Sequence, residues 1–181
     1  MDTVTNRLDR LVDATQSAHT ELREYIRSIR DPAYSEKNFL TALEKNIAGF
    51  ESQTGLIVKR NIPAGFNGEM IKPNVRIQIL SIIKESLNNI RKHAEANNVE
   101  ITLSLEQDRF CVIIKDDGKG FNAVCSTDSA KTRFGLDIMR ERAAEIGGTL
   151  KIESAPGKGC SIILNVPIEK EDDRNETDAC G

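Results

Sequence analysis

The sequence predicts an α+β fold: a two-layer α/β sandwich, with a mixed sheet carrying helices on one face, preceded by a long helix. Two observations lead there. Strand-like segments come late in the chain as two hairpins, 99–105 with 110–114 and 149–154 with 160–166, and a hairpin pairs its strands antiparallel. Helical periodicity fills the intervals, giving the order αα, then β, α, ββ, α, ββ, with no internal repeat.

Residues 3–30 read as one long helix. Leu8, Leu11, Thr15, Ala18, Leu22, Tyr25 and Ile29 step alternately by three and four, a heptad seam that needs a partner to be buried, and Asp31-Pro32 stops it. A second helix is expected from Glu36 to Gln53, capped by Ser35 and ended by Gly55. Leu56 to Ile62 alternates as a strand, and the glycines and prolines of 63–73 make a loop. A helix from Asn74 to about Glu95 presents Val75, Ile79, Ile82, Ile83, Leu87 and Ile90 as its apolar face. The hairpin around Gln107-Asp108 follows. Residues 122–133 have neither period, Phe134 to Ile146 is a helix ended by Gly147-Gly148, and the last hairpin turns at Ala155 to Gly159. These elements divide the chain into an N-terminal helix (1–31), a sandwich domain (32–167) and an acidic tail (168–181) read as disordered.

Composition narrows the function. The 181 residues are 39% hydrophobic and only 4% aromatic, without Trp, and the net charge is −3. A nucleic-acid binder built on aromatic stacking or a basic field is disfavoured. From Ile168 onward six acids face two bases (Lys170, Arg174), so the rest of the chain is near neutral. The four cysteines, Cys111, Cys125, Cys160 and Cys180, have neither CxxC spacing nor a histidine beside them, which argues against zinc and against a disulfide framework and fits a reducing cytosol. No apolar stretch approaches a membrane span and no signal peptide is evident, which excludes membrane contact from this chain only.

The stretch Asp116-Asp-Gly-Lys-Gly-Phe121 raises the central question. It matches a dinucleotide fingerprint poorly, because no helix opens at the loop to face a pyrophosphate. It lacks the alternating oxygen ligands of a calcium loop, and no P-loop is present. Alone it reads equally well as a tight turn after a strand. The preceding helix carries Glu85, Asn89, Lys92 and His93 at i, i+4, i+7 and i+8, one stripe beside its apolar face. A carboxylate, a neutral amide oxygen, an ammonium and an imidazole suit magnesium and phosphate, although a solvated helix edge has the same look. A third segment, Phe134-Gly-Leu-Asp-Ile-Met-Arg-Glu-Arg-Ala143, has a glycine where a helix is expected to open. Pro156-Gly-Lys-Gly159 precedes the final strand.

The order ExxxNxxKH, DDGxGF, GLxxMRERA…GG, then GxG before a strand resembles the ATP-binding catalytic domain of sensor histidine kinases, the GHKL or Bergerat fold also used by gyrase and MutL. The MRERA segment and ELREYIRSIRDP (residues 21–32) resemble the NarX/DesK-like subfamily. The resemblance covers roughly residues 20–167. It implies that Asp116 accepts a hydrogen bond from the adenine exocyclic amine, that Gly118 and Gly120 let the chain pass close to the base, and that Asn89 holds Mg²⁺. It implies that Glu85 is the acidic residue of the catalytic motif, that Lys92 and His93 face phosphate, and that residues 122–134 form a lid behind which Gly135 and Leu136 open a helix. ATP and Mg²⁺ are the implied cofactors.

The match has departures. Asp117 stands where relatives often have Asn, Asp137 follows Gly135 where many have a second glycine, and Cys160 stands where many have Thr. A phosphoacceptor histidine in an ELHD-like segment is absent, since His19 has no acid directly after it and His93 belongs to the nucleotide motif. Residues 1–31 therefore resemble the second helix of a dimerisation hairpin. The implied protein is a catalytic fragment that binds ATP and does not autophosphorylate unless an acceptor helix is supplied. Its full-length form would be a homodimer, membrane-anchored or not, relaying phosphate to a NarL-type response regulator. The alternative is a nucleotide-binding regulatory protein with a degenerate kinase domain and no phosphotransfer.

Overall fold

The computed structural model describes residues 39–106, 108–122 and 130–168. The expected N-terminal helix with His19, the Ser35 cap, most of the expected lid and the acidic tail beyond Ile168 lie outside them. The predicted fold class is observed: a five-stranded mixed sheet with helices packed on one face.

Helix α1 (Phe39–Thr54) buries Phe39, Leu43, Ile47 and Phe50, one apolar stripe at helical spacing. Gly55 ends it at φ +74°, donating its N–H to Glu51 O at 2.8 Å. Strand β1 (Val58–Asn61) is shorter than its alternation suggested. Helix α2 (Pro73–Asn89) begins on a proline, whose fixed φ suits the first turn. Its last turn, Ile90–Ala94, widens into a π-helical turn and closes on Glu95 in the left-handed region. The helix spans the residues the sequence indicated, but the ladder changes from i+4 to i+5 inside the predicted stripe.

Strands β2 (Val99–Glu106) and β3 (Arg109–Asp116) form the first hairpin, and β4 (Thr149–Ser154) and β5 (Cys160–Pro167) the second. The order is β1-β2-β3-β5-β4, with β1 parallel to β2 through the α2 crossover and every other pair antiparallel. Helix α3 (Ala130–Glu145) starts four residues before the predicted Phe134.

Alternation puts Val99, Ile101 and Leu103, then Phe110, Val112 and Ile114, then Ile162, Leu164 and Val166 on the covered face. Phe66 stacks on Phe110 at 5.2 Å between centroids, with Phe39 edge-on to both. Helix α3 contributes Leu136, Met139 and Ala143, and the buried Ser86 hydroxyl of α2 donates to Ile82 O while lying 3.5 Å from the Met139 sulfur.

Register sets the functional end of the sheet. Val58, Val99, Asp116, Cys160 and Ser154 are successive cross-strand partners, one row across all five strands. Directly opposed residues share a face, so Asp116 takes the next core-facing place after Phe110, Val112 and Ile114.

Candidate functional site

Asp116 is a carboxylate at a core position, only 4% exposed. Burial pushes its carboxyl above the ordinary range and nearby Asp117 adds to the rise, while N–H groups of Gly118 and Cys160 that donate to it pull the other way. The Gly118 N–H meets Oδ1 at 2.9 Å. An ionisable acceptor is thus held in an apolar end of the sheet by backbone donors on both sides.

The loop after it is locked to its surroundings. Any side chain at Gly118 would overlap the Ala94 carbonyl, which accepts from the Lys119 N–H at 2.7 Å. A side chain at Gly120 (φ +59°) would overlap Ala155 O, and one at Gly159 (φ +70°) would overlap Asp116 O. The two glycines of DDGKGF are therefore explained by chain-on-chain packing, a role that spacing alone did not reveal. Asp117 also matters more than its sequence position suggested. Its Oδ1 accepts the N–H groups of Asn97 and Asn98 at 2.8 Å each and its Oδ2 the Asn98 side-chain amide at 2.7 Å, which ties the end of the π-helical turn to the end of β3. These bonds hold its carboxyl below the ordinary range.

A second group forms between α2 and α3. Glu85 and Asn89 are half-buried, and both reach the Cα of Gly135: a Cβ there would lie 2.9 Å from Glu85 Oε1 and 3.8 Å from Asn89 Nδ2. Gly135 does not open a helix. It is the sixth residue of α3, so the predicted anion contact from its backbone gives way to close helix packing, for which the missing side chain leaves room. Leu136, expected at the nucleotide, is buried among the core residues.

Lys92 and His93 lie in the π-helical turn, whose pitch departs from the α-helical spacing of the stripe, and both are exposed. Partial burial, then the charges of Lys92 and of Lys119, lowers the His93 pKa, so the imidazole is neutral at pH 7. Lys119 pairs with Glu95 at 2.6 Å.

The fit to Mg²⁺ can be judged on Asn89. Its Nδ2 is the one buried side-chain polar atom without a hydrogen-bond partner among the described residues. A flip exchanges nitrogen for oxygen and turns a neutral hard ligand to the same place. Among the described residues no group of three or more His, Cys, Asp and Glu gathers as a metal cage.

The sequence reading missed Ser154. Nothing in its spacing marks it, and only the register, which brings it beside Cys160, gives it a place at this end of the sheet. The Cys160 thiol, half-buried and beside Asp116, is pushed up to about 12 and carries no thiolate chemistry at pH 7.

Comparison with known proteins agrees with this geometry. Residues 74–170 match the family described as histidine kinase-, DNA gyrase B- and HSP90-like ATPases, and the chain belongs to that family. Within it, the relatives described next are named as sensor kinases. The signal transduction histidine-protein kinase/phosphatase DegS of Brevibacillus brevis is 34% identical over 87% of this chain and 39% of its own length. The sensor histidine kinase LiaS of Bacillus subtilis is 27% identical over 98% of this chain and 48% of its own. The chain thus spans less than half the length of these curated relatives. Among solved structures, the Acinetobacter baumannii histidine kinase AdeS superposes with TM-score 0.60 at 15% identity, covering 90% of this chain and 84% of that one. The histidine kinase domain of a blue-light activated kinase from Erythrobacter litoralis gives 0.57 at 20% identity, covering 70% and 59%. At such identities these two speak for the fold alone.

Proposed function

We propose that this chain supplies the nucleotide-binding and catalytic part of a protein histidine kinase, which transfers the γ-phosphoryl group of ATP to a histidine of an acceptor helix not found in this sequence, for relay to a response-regulator aspartate. The observation that carries the reading is Asp116. A carboxylate kept at a core position, satisfied on two sides by backbone donors and raised in pKa by burial, is suited to accept one more donor from an apolar ring such as adenine. Gly118 and Gly120 hold the loop beside this carboxylate. Glu85 is the candidate proton acceptor or water organiser, and Asn89 is the residue that would hold Mg²⁺. The ion, when bound, neutralises phosphate charge. Lys92 and His93, exposed at the end of α2, are candidate phosphate-side donors, and a neutral imidazole can donate to a phosphate oxygen. The remaining contribution of the protein is positioning.

The MRERA segment at 139–143 and residues 21–32 support a finer placement in the NarX/DesK-like subfamily, with a NarL-type regulator as partner and a homodimer formed through a helical hairpin. Among the described residues no helix is long and apolar enough to cross a membrane, and ATP chemistry with unpaired cysteines fits a cytoplasmic setting. The reading is tested by incubating the chain with γ-labelled ATP, Mg²⁺ and a separately supplied acceptor helix bearing an ELHD-like histidine. Acid-labile label on that histidine supports it. Label on serine would overturn the histidine-kinase reading, and bound nucleotide with no transfer to any acceptor tried would favour a regulatory nucleotide-binding protein.

A further inference from the structure

Ser154 lies outside every nucleotide motif in the sequence, yet its hydroxyl joins the two segments that hold Asp116. It accepts the N–H of Phe121 at 2.9 Å and donates to the carbonyl of Gly159 at 2.8 Å. Phe121 ends the DDGKGF loop, whose Gly118 N–H donates to the Asp116 carboxylate. Gly159 precedes Cys160, whose N–H is the second donor to that carboxylate. Ser154, Cys160 and Asp116 are consecutive in one cross-strand row, so their side chains share a face. A further bond, from the Gly157 N–H to Lys119 O at 2.6 Å, joins the same two segments through backbone alone.

We propose that Ser154 is a positioning residue for adenine recognition: its hydroxyl fixes the DDGKGF loop against the start of β5, so that both backbone donors hold the Asp116 carboxylate in the one orientation that presents its free lone pairs to the exocyclic amine. The proposal rests on the reading of Asp116 as the adenine acceptor. A hydroxyl suits this place because it accepts and donates at once; two of its partners are main-chain groups that an alanine would leave unmatched, and the Cys160 thiol lies beside it as well.

A residue that only strengthened the hairpin would affect all nucleotides alike. A residue acting through Asp116 affects only those that carry the amine. The experiment is calorimetric titration of wild type, Ser154→Ala and Ser154→Thr with ADP and with purine riboside 5′-diphosphate, which differs from ADP by lacking the 6-amino group. Wild type should prefer ADP by about tenfold, and Ser154→Ala should weaken ADP by about threefold to tenfold, the effect of one hydrogen bond. The same variant should bind the deaminated ligand within about twofold of wild type, and Ser154→Thr should restore ADP binding. If Ser154→Ala does not fold, Ser154→Cys, similar in size and a poor donor, takes its place and the same outcomes are read. Equal weakening of both ligands, or no weakening of ADP, would overturn the role of Ser154 and leave Asp116 standing. A wild type that does not distinguish the two ligands would overturn the Asp116 reading and this proposal with it.

Discussion

Replacing Asp116 by asparagine should move binding and stability in different directions. The lost interaction is a hydrogen bond to a charged acceptor in a buried place, about 1.5–3 kcal/mol, so ADP affinity should fall by about 10- to 150-fold. For stability, burial is the largest influence on the carboxyl and raises its pKa above the ordinary value. Between that ordinary value and the raised one, the folded protein keeps a proton the unfolded chain has released, so wild-type stability from this group falls as pH rises through the window and stays lower above it. Asparagine has no proton to lose there. Without ligand, the melting temperature of Asp116→Asn relative to wild type should therefore climb as pH is raised across the carboxylate range. Titration calorimetry with ADP and a non-hydrolysable ATP analogue reads the first effect, and thermal unfolding between pH 4 and 8 reads the second. Binding within twofold of wild type would refute the adenine role. A relative melting temperature that falls with pH would refute the account of a burial-strained carboxylate.

Asn89→Ala should remove the Mg²⁺-dependent increment in nucleotide affinity, while unfolding without ligand stays unchanged or improves by a few tenths of a kcal/mol, since the buried amide nitrogen has no partner to lose and alanine is the better helix former. Gly118→Ala should destabilise the fold by about 1–3 kcal/mol or more, because its methyl would meet the Ala94 backbone, whereas Gly49→Ala in α1, with nothing within 4 Å, should stabilise by about 0.5–1 kcal/mol; denaturant melts compare the two. Asp117 has its carboxyl held below the ordinary range by the Asn97 and Asn98 donors, so the stability it contributes is present above its unfolded-state pKa and is lost as pH falls through the lowered folded-state value. Asp117→Asn should flatten that acid limb of the stability–pH curve.

The fold was legible because its signals are local. Hairpins announce themselves by alternation around short turns, and the four late strands lie close to where the sequence put them. The site was legible in part. Asp116 could be singled out because a carboxylate follows an apolar alternation and precedes two glycines. What escaped were features that depend on register or on a change of helical pitch. The π-helical turn at Ile90–Ala94 has no mark in composition, yet it changes the helical pitch where Lys92 and His93 follow Glu85 and Asn89. Gly135 looks like a helix opener until α3 is seen to begin at Ala130. Ser154 is 38 residues from Asp116 in sequence and two strands away in the sheet.

The two parts of the site are built on different physical grounds, and this constrains how they fail. Around Asp116 the contacts are backbone against backbone, at Gly118 with Ala94, Gly120 with Ala155 and Gly159 with Asp116, where no rotamer change can absorb an added atom. Between α2 and α3 the contact at Gly135 is with the far end of the Glu85 side chain, which can swing aside. Lesions in the first part should therefore reduce folding and binding together. A methyl at Gly135 should be tolerated by the fold while displacing the Glu85 carboxylate from beside Asn89. The Asp116 end of the domain is thus a fixed frame and the end at Glu85 and Asn89 an adjustable one, which under the proposed function would hold a nucleotide by its base while the groups near its phosphates shift.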